Sequence, residues 1–135
     1  MKNYIRNLLP VVLVFLLVIT LNAAKVDKQG KTWLSAHSDP PTININGFWH
    51  DQAWGTIVLN QAEGKAEVTG RGDNWDVTGV VSGKQVYLLF SSHGNIAYSA
   101  VLTFVNDTTL DGKYDSGLMK ENKKGRAMHM TKKQS

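Results

Sequence analysis

None of the 135 residues is a cysteine. That absence excludes a disulfide framework, a lipid carried on a cysteine, a thiolate nucleophile and a zinc–thiolate centre. Helical periodicity is also missing: after residue 24 no stretch repeats its apolar residues at helical spacing. There is no Gly-x-Ser-x-Gly elbow, and the hydroxyls of Ser91 and Ser92 beside His93 have no acid placed to complete a triad. The only histidines are His37, His50, His93 and His129, and no two are spaced as helix or hairpin ligands. His50 and Asp51 would face opposite sides of a strand, whereas a metal site needs three or four converging ligands. No catalytic residue, no metal and no cofactor is expected, and the chain reads as non-enzymatic.

The N-terminus looks like an export signal. Lys2 and Arg6 precede Leu8–Leu21, an uncharged apolar run, and Asn22-Ala23-Ala24 supplies small residues for cleavage. The match to Ala-x-Ala is imperfect, since position −3 would be Leu21 or Asn22. The competing reading is an uncleaved anchor from Leu8 to Ala24, at the short end of what crosses a bilayer. Either reading puts the remainder outside the cytoplasm, periplasmic or secreted. Residues 1–24 are thus a signal peptide or anchor, 25–42 a flexible tail and 43–135 one small domain.

Charge is unevenly spread. Leu118–Ser135 holds six basic residues and one acid, whereas Lys25–Gly117 holds seven basic and ten acidic ones. The basic character is a local patch that suits phosphates, lipid head groups or acidic polymers, or simply a solvated end. No aromatic residue lies within it, which speaks against a stacking nucleic-acid surface. A membrane partner requires the N-terminal segment to stay attached. In the tail, Asp39-Pro40-Pro41 marks a boundary, and Trp33-Leu34 is the one apolar pair, available to dock on the domain or on a partner.

From Asn44 to Lys132, apolar and aromatic runs alternate with short turn signals. Eight strands are predicted: Ile43–His50, Trp54–Gln61, Ala66–Arg71, Trp75–Val81, Gln85–Ser91, Ile96–Val105, Thr109–Asp115 and Gly125–Lys132. Gly, Asn or Asp occupies each connection. In the sixth, Ile96, Tyr98, Ala100, Leu102 and Phe104 alternate with Ala97, Ser99, Val101 and Thr103, so one face is buried. The fifth is apolar on both faces. A nine-residue echo, Glu67-Val68-Thr69-Gly70 and Asp76-Val77-Thr78-Gly79, points to glycines that permit bending and close approach. Arg71-Gly72-Asp73 spells an adhesion tripeptide but is ordinary turn chemistry. Turns this short force sequential pairing. Closure of the antiparallel meander into a barrel removes the two edges an open sheet would expose.

Gly47-Phe48-Trp49 at the head of such a meander resembles the calycin group, lipocalins and avidin-like proteins. The stretch Ile45-Asn46-Gly47-Phe48-Trp49-His50-Asp51-Gln52 followed by Gly55-Thr56-Ile57 looks most like the avidin-like opening. The resemblance implies that Gly47 and Trp49 are structural, with the tryptophan closing one barrel end beneath a basic residue of the last strand, Arg126 or Lys132. It implies no ligand identity. Small periplasmic metalloprotease inhibitors share this barrel and act through an N-terminal tail, as this chain's tail would allow.

Trp54, Trp75, Tyr87, Tyr98 and Tyr114 are the candidate lining of a pocket for a small, partly apolar ligand, since an eight-stranded barrel holds one such ligand or is filled by side chains. Two further readings stay open at this stage. One is a protein-interaction or inhibitor-like module working through the tail or surface. The other is a membrane-tethered barrel meeting anionic surfaces with its basic end.

Overall fold

A computed structural model describes residues 27–120 and 122–134. The expected signal or anchor at residues 1–24 lies outside them. Eight strands form one closed antiparallel barrel: β1 (Gly47–Asp51), β2 (Gly55–Asn60), β3 (Glu67–Arg71), β4 (Asp76–Ser82), β5 (Gln85–Ser92), β6 (Asn95–Asn106), β7 (Thr109–Ser116) and β8 (Arg126–Lys132). Each strand pairs with its sequence neighbours, and β8 returns to β1. The arrangement is the expected all-β meander and is consistent with a calycin-like fold. The turns follow their residues: His93 and Gly94 both have positive φ (53° and 83°), which a two-residue hairpin between Ser92 and Asn95 requires.

Inward positions from every strand fill the lumen. Trp49, Leu59, Val68, Val81, Leu88, Phe90, Leu102, Leu110, Met128 and Met130 are buried to 1% exposure or less. The Val-Thr-Gly echo has a packing role. In the β3–β4 register Val68 lies opposite Gly79 and Val77 opposite Gly70, so each bulky side chain meets a residue that has none. Gly112 on β7 allows another close approach: a methyl group there would overlap the carbonyl of Val101 on β6.

One barrel end is sealed. The Trp49 ring is fully buried and its Nε1–H donates to the Ile45 carbonyl at 2.8 Å. Lys132 Nζ stands 5.9 Å from the ring centroid, so of the two basic candidates Lys132 crosses the tryptophan. The Lys132 stem also occupies the space a side chain at Gly47 would need, with Cε 2.7 Å from that position. Arg126 lies at the other end of β8.

The first strand begins at Gly47 rather than Ile43. Side chains replace the ladder over the preceding residues. Buried Gln61 accepts from the Ile45 amide at 2.8 Å and donates to the carbonyls of Ile43 and Lys65, while Asn46 Oδ1 accepts from the Gln61 amide.

The tail differs most from expectation. Lys28–Ser35 is a helix, α1, capped by the Asp27 carboxylate, which accepts from the Gln29 amide at 2.9 Å. The chain then crosses the β4–β5 turn. Gly83 donates to the Pro40 carbonyl and accepts from the Thr42 amide, and Ser82 Oγ accepts from the Asp39 amide. Residues 27–42 are therefore fastened along the outer wall. Beneath them Leu89, which points outward between the inward-facing Leu88 and Phe90, is fully buried.

Candidate functional site

The unsealed end is formed by the β1–β2, β3–β4 and β5–β6 turns and the long β7–β8 connection. The first of these is built by one carboxylate. Asp51, 8% exposed, takes the amides of Ala53 (2.7 Å) and Trp54 (3.0 Å) on Oδ1 and that of His129 (3.1 Å) on Oδ2. The turn is thereby fixed to β8, and the Trp54 ring is directed over the mouth.

Four of the five candidate lining residues meet there. The Trp54 ring lies 6.2 Å from Trp75, 5.2 Å from Tyr98 and 5.2 Å from Tyr114. Both tyrosine rings are edge-on to it, at 90° and 88°. Trp75 and Tyr98 are likewise edge-on at 5.6 Å. Such edge-to-face sets hold one another rigid. Phe90, 4.5 Å below Trp54, forms a floor continuous with the core. With Ala53 and Arg126, the four rings enclose a cup of about 220 Å³. The lining supplies aromatic faces, two phenol hydroxyls and one guanidinium. The site is a shallow aromatic mouth on a filled barrel, because the residues below it occupy the lumen.

The fifth candidate, Tyr87, is on the opposite side of the wall. Its β5 neighbours Val86 and Leu88 point inward, so Tyr87 points out and beneath the tail. The His37 ring lies flat on it, 3.5 Å between centroids and 8° between planes, and Trp33 meets it edge-on at 5.6 Å. Burial pushes the Tyr87 hydroxyl above its ordinary pKa, and the nearby Asp39 carboxylate adds to this. Burial lowers the His37 pKa. Tyr87 thus belongs to the clasp that holds the tail.

Asp51 is the residue that sequence reasoning missed. The signal was present as an acid two residues before a loop alanine and tryptophan, a spacing at which a carboxylate caps the following amides. Of the two basic candidates for the sealed end, Arg126 lines the mouth instead.

Among the described residues, no group of three His, Asp or Glu side chains is arranged to hold a metal. His129 Nδ1 pairs with Asp111 at 3.5 Å on the outer wall, with both side chains more than half exposed. Comparison with known protein families, with curated proteins and with solved structures found no match for this chain.

Proposed function

We propose that the protein is an exported, calycin-like, non-enzymatic barrel that binds a small, partly apolar ligand at its open end. The observation that carries this reading is the convergence of Trp54, Trp75, Tyr98 and Tyr114 on one cup. Aromatic side chains at a barrel mouth would ordinarily be covered or interleaved with aliphatic ones. Here four partly exposed rings share one concavity, which favours a ring-shaped or flat apolar group. The cup is smaller than drug-sized pockets of about 300 Å³ and above, so it suits a single ring or the end of a longer ligand. Arg126 at its rim offers a guanidinium to a carbonyl or acidic substituent. Ring faces and hydroxyls suit holding a molecule better than making or breaking bonds in it.

Capture of a protein partner through residues 25–42 has less support. The bonds from Asp39, Pro40 and Thr42 to the β4–β5 turn fasten residues 39–42 along the wall instead of presenting them as a projecting arm. The test is a titration with the neutral fluorophore N-phenyl-naphthylamine. Binding is expected to change tryptophan emission and to weaken about tenfold or more in Trp54→Leu, a loss of roughly 1.4 kcal/mol. Equal binding by the variant would remove the mouth from the reading. The N-terminal mass of protein recovered from the exported fraction tests cleavage.

A further inference from the structure

A basic and aromatic concavity lies outside the barrel. Between α1 and the outer faces of β6 and β7 runs a groove of about 560 Å³, within the usual range for small-molecule sites. Trp33 and His37 form one side, Val101 and Gly112 the floor, and Lys113, Lys120 and Lys123 the other side.

Both sides are preorganised. The Trp33 Nε1–H donates to the Met119 carbonyl at 3.0 Å, and its ring is held edge-on by Tyr87 and by His37 at 5.8 Å. On the lysine side, the Met119 amide donates to the Oγ of fully buried Ser99 at 2.8 Å. The Lys123 amide closes a turn on the Lys120 carbonyl, and Lys123 Nζ donates to the Ser116 carbonyl at 3.1 Å. Lys113 projects from β7 opposite Val101. Three lysines line one concavity, none of its described lining residues carries a carboxylate, and Glu121, between Lys120 and Lys123 in sequence, lies outside the described residues. Like charges drawn together in this way repel one another, and an anion relieves that repulsion. The second groove beside α1, about 700 Å³, mixes Lys31 with Asp39 and Glu67 and has no such bias.

We propose that the groove is a second binding site, for an amphiphilic anion: a phosphate monoester carried on a flat or alkyl body. The body lies against the Trp33 indole and Val101, and the phosphate sits among the three lysines. Lysine suits this role as a point charge that needs no fixed approach direction.

Calorimetric titration of the full chain in mild detergent with naphthyl phosphate tests the assignment. Saturable binding is expected, at least about tenfold tighter than for inorganic phosphate or for naphthol, because each of these offers only half of the ligand. The triple variant Lys113→Gln/Lys120→Gln/Lys123→Gln changes exposed side chains and keeps the fold. Measured in a Trp54→Leu background, which removes the mouth as a competing site, it should lose about tenfold in affinity, with Lys65→Gln as the unaffected control. Binding should also weaken as salt rises. Phosphatidic acid added to the micelles separates the sources: competition assigns the phosphate to a lipid head group, and no competition assigns it to a soluble ester. An isotherm unchanged in the triple variant, or naphthyl phosphate binding no better than inorganic phosphate, overturns the proposal.

Discussion

Removing the Asp51 carboxylate should open the barrel where it is least well laced. The β1–β8 seam has only two register pairs, Trp49 with Lys132 and His50 with Thr131, against five between β1 and β2. The Asp51 bond to the His129 amide acts as a further rung, made by a side chain because β1 ends there. In Asp51→Ala three amides lose a charged acceptor worth about 1.5–3 kcal/mol each where water is excluded. Ala53 and Trp54 lie in a half-buried turn that water reaches, so their share is discounted. A total near 3 kcal/mol is expected, which for a domain of this size lowers Tm by roughly 12–20 °C. Asp51→Asn should cost less, about 2 kcal/mol, because one oxygen still serves the turn while the amide nitrogen faces the His129 N–H. Urea unfolding gives the free energies. Hydrogen exchange locates them, with the His129 amide expected to lose protection first and the β5–β6 pairs last. An alanine variant within about 0.5 kcal/mol of the parent, with His129 still protected, would refute the idea that this carboxylate holds the seam.

Two other outcomes follow from the same physics. Gly112→Ala should destabilise by about 2–4 kcal/mol, since the added methyl meets the Val101 carbonyl of the paired strand and the backbone must move; thermal melting measures it. The clasp should be pH-dependent in a definite direction. Burial favours neutral His37, so the unfolded or undocked chain takes up the proton first as pH falls below the ordinary imidazole value of 6.5. Docking of α1 is then complete above that value and weakens below it. Exchange of the α1 amides against pH should show that slope, and His37→Asn should flatten it.

The eight strands were legible because their punctuation is local: Asp-Asn, Ser-Gly and His-Gly connections declare themselves within four residues. The mouth was nearly legible, since Trp54 and Trp75 stand at strand entrances and Tyr98 and Tyr114 share inward parity with known core positions. Tyr87 was misplaced because β5 is apolar on both faces, so alternation offers no parity to read. The outward half of β5 is apolar because α1 covers it, and α1 itself left no periodic trace. Its two large apolar residues, Trp33 and Leu34, are adjacent, and the residue it buries is Gly30. Arg126 and Lys132 could not be told apart from composition. They share one face of one strand, but six residues separate them by about 20 Å, which puts them at opposite barrel ends.

The order of pairing has a consequence for how the chain is made. Seven of the eight strand pairs join neighbours in sequence; the eighth joins residues near 50 to residues near 130. A chain emerging amino end first can lay down its hairpins one after another, yet β1 keeps a naked edge until the final strand arrives. During that interval the edge, with Phe48 on its outer side, is the part most able to pair with the wrong neighbour. A truncation that stops before Arg126 therefore does more than shorten the barrel. It leaves a sticky open sheet, and the last seven-residue strand is what converts an aggregation hazard into a closed barrel.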